Sequence, residues 1–98
     1  MPTFWKYSPG GVISDDYRYQ ISGVDRTRYL IRIEDRFVLV NCEHYTENDI
    51  PALAVYLGEP MQFITKDGPT EVTEGDRETI MNIMASGMPI MGRTVKFE

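Results

Sequence analysis

Hydrophobic and polar residues alternate through much of the first 42 residues, which is the pattern of β-strands with one buried face. The clearest case is 29–42 (YLIRIEDRFVLVNC), which predicts a hairpin with its turn centred on Asp35-Arg36. A four-residue loop, Glu34 to Phe37, keeps the same register and is favoured, because Asp-Arg lacks the glycine of the common two-residue turns. In this register three apolar pairs share one face: Ile33 with Val38, Ile31 with Val40, and Tyr29 with Cys42.

The residues before this hairpin predict further short strands. Thr3 to Tyr7 is rich in aromatic residues that favour strands, and Ser8-Pro9-Gly10-Gly11 is a strong turn signal. Val12 to Ser14 and Tyr17 to Ser22 predict a second hairpin, closed at Asp15-Asp16. Residues 3–42 are therefore predicted to form a β-meander.

After Cys42 the pattern changes. Ile50 to Leu57 predicts a short helix, with Pro51 in its first turn, where a missing N–H costs nothing. The same apolar run also fits a buried strand, so both alternatives stay open. Met61 to Lys66 predicts a strand, and Asp67-Gly68-Pro69 predicts a turn.

The clearest helix begins after Thr73, which is the predicted N-cap, with Asp76 in the reciprocal capping-box position. Its apolar stripe consists of Ile80, Ile83, Met84 and Gly87, and Gly87 is predicted to end it. Met81 and Met88 lie off this stripe and are predicted to be exposed. Pro89 stops helix continuation, and Arg93 to Phe97 predicts a closing strand.

These elements predict an α+β fold in one domain, residues 1–98. The expected architecture is an antiparallel β-meander sheet of five or six strands, with the C-terminal helix packed on one face and a closing strand.

The composition is that of an ordinary globular chain, with 42% hydrophobic and 26% charged residues. No apolar run approaches the roughly 20 residues needed to span a bilayer, so no membrane association is expected. The first ten residues contain no basic segment followed by an apolar stretch, so we expect no signal peptide and a cytoplasmic location. The single cysteine, which cannot form an internal disulfide, agrees with this expectation.

The sequence offers little for catalysis. Cys42 and His44 are the only cysteine and histidine, and a thiolate–imidazole pair is conceivable if both lie on one strand face. Cys42 is better explained as a small hydrophobic residue in the sheet. One His and one Cys do not supply the ligands of a metal site, and no phosphate-binding loop is present. We therefore expect no enzyme activity, metal or cofactor.

Charge is distributed unevenly. Residues 1–40 carry six basic and five acidic groups, whereas residues 41–98 carry four basic and ten acidic groups. An acidic surface repels nucleic acid and attracts basic proteins, which favours a basic protein partner and no nucleic acid. The predicted contacts are carboxylates in two segments and two tyrosines that serve as apolar anchors: Glu43, Glu47, Asp49, Asp67, Glu71, Glu74, Asp76, Glu78, Tyr17 and Tyr19.

The chain's ending resembles that of small immunity proteins from bacterial polymorphic-toxin and contact-dependent growth inhibition systems. The resemblance covers about the last 30 residues and lies in a Thr-capped helix with charged, isoleucine and glycine positions before a short strand. Those positions are Thr73, Asp76, Arg77, Ile80, Ile83 and Gly87.

The resemblance implies a non-enzymatic inhibitor that neutralises a cognate toxin, often a nuclease, by tight contact in the bacterial cytoplasm. The partner would be the toxin domain of a large secreted protein, and no catalytic residue carries over. The alternative is a small homo-oligomeric accessory or structural domain that associates weakly through an edge strand.

Overall fold

The computed structural model describes residues 3–98 and shows an α+β fold. Within these residues there are nine strands, one α-helix and one short 3-10 helix. The strands are β1 (Phe4–Ser8), β2 (Gly11–Ser14), β3 (Tyr19–Gly23), β4 (Arg28–Ile33), β5 (Arg36–Glu47), β6 (Ile50–Tyr56), β7 (Gln62–Thr65), β8 (Gly68–Glu71) and β9 (Thr94–Phe97). The helix α1 spans Glu74–Gly87, and the 3-10 helix spans Met88–Met91.

The strands form one sheet in the order β1-β2-β3-β4-β5-β6-β9, with β7 beside β5 and β8 beside β7. The predicted β-meander over residues 3–42 is confirmed, since β1 to β5 are consecutive antiparallel neighbours. The sheet is larger than the five or six strands expected. It is also mixed rather than antiparallel, because β9 returns through α1 and pairs parallel to β6.

The predicted register of the central hairpin is wrong by two residues. Ile31 pairs with Val38 and Tyr29 with Val40, and the chain turns at Glu34-Asp35, where Glu34 has φ = 57°. A shift of two preserves which side chains share a face, so the predicted apolar face is still buried.

The predicted helix at 50–57 is wrong, and the strand alternative holds. The cause lies in the preceding segment, where β5 continues to Glu47 and a tight turn follows at Asn48-Asp49. Both turn residues have positive φ, 53° and 64°, as the favoured two-residue hairpin turns require. Between β5 and β9, Ala52 to Val55 are all buried, so both faces of β6 are apolar and no alternation shows in its sequence.

The helix prediction is confirmed in detail. Thr73 Oγ1 accepts the Asp76 N–H at 3.2 Å, and the Asp76 carboxylate accepts the Thr73 N–H at 3.0 Å, which completes the capping box. The stripe of Ile80, Ile83, Met84 and Gly87 is buried against the sheet. Met81 is exposed as predicted, but Met88 is fully buried, because the 3-10 helix turns it into the core.

Gly87 allows the end of α1 to approach the sheet closely. A Cβ at this position would lie 2.6 Å from Ile21 Cδ1 and 3.1 Å from Val12 Cγ2. The helix therefore packs against β2 and β3 at a distance that excludes any side chain at position 87 without local rearrangement.

Replacing Thr73 with alanine removes one half of the capping box and leaves the Asp76 N–H without its acceptor. We expect the free energy of unfolding to fall by about 1 kcal/mol, within the usual range of roughly 0.5–2 kcal/mol for such a change. Urea denaturation measures the effect. Thr79→Ala, within the same helix, is the matched control and should cost less; equal losses would contradict the capping role.

Candidate protein-binding surface

The sheet has an inner face, which carries the core and α1, and an outer face with no element of residues 3–98 packed over it. Strand register places alternate residues on the outer face. Two regions of this face differ in composition.

The first region is an apolar band across the strands. The register aligns Trp5, Ile13, Gln20, Arg32, Phe37 and Ile64 in one row, and Leu30 beside Leu39 in the next. Several of these side chains remain accessible, with Trp5 44% and Ile64 58% exposed. We define the apolar band as Trp5, Tyr7, Ile13, Leu30, Phe37, Leu39 and Ile64.

Polar contacts hold the band in place. The Tyr7 hydroxyl lies 2.7 Å from both Ser22 Oγ and Gln20 Nε2, with its ring lying over Gly11. Arg32 donates to the Gln20 side chain at 3.0 Å and to the Tyr17 carbonyl at 2.7 Å. These hydrogen bonds engage the one cation of the row within the chain.

The second region lies further along β5 and on the neighbouring strands β6 and β9. Tyr56 donates its hydroxyl hydrogen to Glu43 at 2.8 Å, and Tyr45 donates to Glu47 at 3.3 Å. The Glu43 hydrogen bond raises the pKa of Tyr56, and desolvation together with Glu47 raises the pKa of Tyr45. We define the acid–tyrosine patch as Glu43, Tyr45, Glu47, Tyr56 and Glu98, which line one depression with Lys96.

The band and the patch are continuous because β5 runs through both. Its outward residues are, in order, Phe37 and Leu39 in the band, then Asn41, and then the three patch residues of the strand. At about 3.3 Å per residue, the ten steps from Phe37 to Glu47 span roughly 33 Å.

A further carboxylate joins the patch to the start of α1. Asn41 Nδ2 donates to Glu59 Oε2 at 3.3 Å, and the Glu59 carbonyl accepts from Arg77 Nη2 at 3.4 Å. Arg77 also donates to the carbonyls of Leu57 and Val72. The depressions that share Arg77 are rimmed by Glu71, Glu74 and Glu78.

The structure thus brings most of the predicted carboxylates to one side of the patch or to the helix start. Glu43 and Glu47 lie in the patch, Asp49 lies in the turn at its end, and Asp67 lies in the exposed turn between β7 and β8. Asp76 differs from the others, because its carboxylate is bound by Thr73 and lies 3.7 Å from Arg36 Nη1. This hydrogen bonding, together with Arg36, lowers the pKa of Asp76 against the opposing effect of its partial burial.

The two tyrosines singled out in the sequence lie away from the patch. Tyr17 is exposed in the loop between β2 and β3, and Tyr19 packs against the core on the inner face. The neighbouring aromatic residues are instead Tyr45 and Tyr56. The sequence pattern that could have identified Tyr45 is the alternation of Glu43, Tyr45 and Glu47 on one strand face. This pattern is recognisable only when β5 is known to continue to residue 47.

The cysteine and histidine are placed on the inner face without any activating contact. Burial raises the pKa of the Cys42 thiol to about 12, and its sulfur donates weakly to the Val40 carbonyl at 3.6 Å. His44 packs against Tyr29 with ring centroids 6.0 Å apart, and burial, followed by the charge of Arg93, lowers its pKa. No group of three or more potential metal ligands occurs in residues 3–98.

This arrangement predicts that Cys42 is inert in the folded protein. With a thiol pKa of about 12, roughly one molecule in ten thousand carries the thiolate at pH 8. We expect labelling by a thiol-specific maleimide to be at least about a hundredfold slower in buffer than in denaturant. Rapid stoichiometric labelling of the folded chain would contradict the burial of Cys42 and would support a mechanism that uses its thiol.

Comparison of the chain with protein-family models, with curated proteins and with solved structures gives no match. In residues 3–98 no helix is both long enough and apolar enough to cross a bilayer.

Proposed function

We propose that this chain is a non-enzymatic binding protein that recognises a basic protein through the outer face of its sheet. One observation carries the proposal: β5 places exposed apolar side chains and carboxylates in one continuous line. Protein interfaces combine such apolar anchors with a polar rim, and aromatic residues contribute most of the binding energy.

Charge supports the choice of a basic partner. Five of the ten cations are engaged within the described residues: Arg18 with Glu34, Arg28 with Asp25, Arg36 with Asp76, and Arg32 and Arg77 with backbone carbonyls. Apart from Asp76, the carboxylates of the patch and of the helix start have no cation within 4 Å in the part of the chain described by the structure. They are therefore available to attract and orient a positively charged surface.

The most specific form of this proposal is an immunity protein that neutralises a toxin domain in the bacterial cytoplasm. The resemblance of the capped helix and closing strand to immunity proteins supports this form. An acidic face with tyrosine hydroxyls suits a target that normally binds nucleic acid, because carboxylates can occupy the positions of phosphates. The proposed target is the toxin domain of a large secreted protein, with a nuclease as the favoured activity.

Affinity capture from the source cells tests this function, with the full chain as bait and washes in about 0.5 M salt to remove contacts due to charge alone. The proposal predicts one stoichiometric basic protein, which is then purified and mixed with the bait to measure inhibition. A partner that is acidic, or whose activity is unchanged by the bait, would contradict it.

A homo-oligomeric accessory domain remains a second candidate, because part of β5 has an open edge. β4 begins at Arg28, opposite Asn41, so residues beyond Cys42 have no strand on that side. Light scattering distinguishes the two: a concentration-dependent dimer of the isolated chain would favour self-association, and a monomer would favour the binding protein.

A further inference from the structure

An open notch at the unpaired edge of β5 combines two arginines with the only histidine. Its volume is about 450 Å³, and it is lined by Arg26, Thr27, Glu43, His44 and Arg93. These residues come from three places: the connection between β3 and β4, the open part of β5, and the turn before β9.

The notch exists because β4 begins only at Arg28, so the later part of β5 has no strand on that side. Asp25 accepts hydrogen bonds from the Thr27 N–H at 2.9 Å and from Arg28 Nη2 at 2.7 Å, and these bonds hold the connection just before β4. Arg28 also pairs with Asp25 and helps to lower the pKa of that carboxyl to about 2. Arg26, which lies between Asp25 and Arg28 in the sequence, has no carboxylate within 4 Å in the described residues.

The open edge of β5 adds a backbone donor. The Cys42 N–H donates to the Thr27 carbonyl at 2.7 Å, which shows the direction of its peptide group. In an antiparallel ladder alternate residues send their N–H groups to the same edge, so the His44 N–H faces the side that β4 has vacated. The notch therefore offers this donor, two guanidinium groups and an imidazole.

The charges that face the notch are mostly positive. Arg93 lies close enough to Tyr29 and His44 to affect both, opposing the rise in the pKa of Tyr29 that burial causes and adding to the decrease in the pKa of His44. Glu43 is the one carboxylate of the lining, and it already accepts the Tyr56 hydroxyl on the outer face. Two guanidinium groups and one carboxylate leave the lining with a net positive charge.

We propose that this notch is an oxyanion-binding site, in which Arg26 and Arg93 hold a phosphate or carboxylate group against the edge of β5 at His44. Guanidinium groups bind both anions through paired hydrogen bonds, so this chemistry alone leaves both ligand classes open. Glu43 borders both the notch and the acid–tyrosine patch, but the groups that would hold the anion are Arg26, Arg93 and His44, so the site stands whether or not the proposed protein partner binds the outer face.

The single histidine makes the site directly measurable, because its proton NMR signals belong to one imidazole. We would titrate the full chain with sodium sulfate, sodium phosphate and sodium acetate, each against sodium chloride at matched ionic strength. The site predicts saturable shifts of the His44 signals and a higher His44 pKa at saturation, because a bound anion offsets the nearby guanidinium charge. Saturation by sulfate and phosphate alone would assign a phosphate ligand, and saturation by acetate as well would assign a carboxylate.

Arginine variants test the assignment. R93Q and R26Q are each expected to weaken anion binding on the order of tenfold, as removal of a charge-assisted hydrogen bond does. R18Q is the matched control, with the same charge change at the opposite end of β4, and should bind as the parent chain does. Shifts that never saturate, or that are identical in R26Q and the parent chain, would overturn the proposal; Arg26 is exposed, so its variant is expected to fold.

Discussion

Replacing Phe63 with alanine is expected to lower the free energy of unfolding by about 3–5 kcal/mol, a large part of the roughly 5–10 kcal/mol expected for a domain of this size. Phe63 is fully buried on the inner face, and the Arg36 guanidinium lies 4.3 Å from its ring centroid. The substitution therefore removes core volume and a cation–π contact together. Urea denaturation followed by circular dichroism measures the loss.

Phe37 provides the matched control, because the same residue type lies on β5 in the apolar band and is 37% exposed. F37A should cost about 1 kcal/mol or less, as expected for a surface substitution that leaves no cavity. Its effect should appear in partner binding instead. If F37A destabilised the fold as much as F63A, the outer face would have to be covered by another part of the molecule.

Reversing the charge of the acid–tyrosine patch is expected to cause the largest loss of binding. The variant E43K/E47K changes the local charge by four units and removes the acceptors of the Tyr56 and Tyr45 hydroxyls. Electrostatically steered association falls steeply when such a field is reversed, so we expect the association rate with the captured partner to fall about a hundredfold at low salt. Surface plasmon resonance at several salt concentrations measures this rate.

Two controls distinguish a loss of electrostatic attraction from damage to the fold. D15K/D35K makes the same charge change in loops outside the patch, at two exposed positions, and should alter the rate much less. The difference between the two variants should shrink in about 0.5 M salt, where the screening length is only a few ångströms. An unchanged rate for E43K/E47K would remove the patch from the interface.

The carboxylates near the start of α1 are a second group that would attract a basic partner. Glu71 and Glu78 rim the depressions around Arg77 and have no cation within 4 Å in residues 3–98. Hydrogen bonds through Arg77, Glu59 and Asn41 connect them to β5, the strand that carries the patch. Asp76 is set apart, because its role in the capping box already accounts for its position.

Local signals in the sequence predicted the elements that depend on local chemistry. The capping residues of α1, the proline and glycines between β1 and β2, and the alternation of β3 and β7 all act within a few residues. The predicted register of the β4–β5 hairpin was wrong because two registers, which differ by two residues, bury the same side chains. Only the turn geometry at Glu34 distinguishes them, and Glu is not a typical turn signal.

Features that depend on contacts between distant parts of the chain could not be predicted from local sequence signals. β6 is buried on both faces because β9 crosses over to pair with it, and that pairing depends on the whole path through α1. The apolar band brings together residues from β1, β2, β4, β5 and β7, each of which looks like an ordinary exposed position within its own strand. The notch at Arg26 and Arg93 likewise joins residues that are far apart in the sequence.

Parallel captures from the source cells test most directly whether the outer face binds a basic protein. Four baits would be compared under the same wash in about 0.15 M salt, where charge effects between protein surfaces still act: the parent chain, F37A, E43K/E47K and D15K/D35K. We expect one stoichiometric basic partner with the parent chain and with D15K/D35K, and loss of that partner with F37A and E43K/E47K. Recovery of the same partner by all four folded baits would contradict it, because the interface would then lie elsewhere on the molecule.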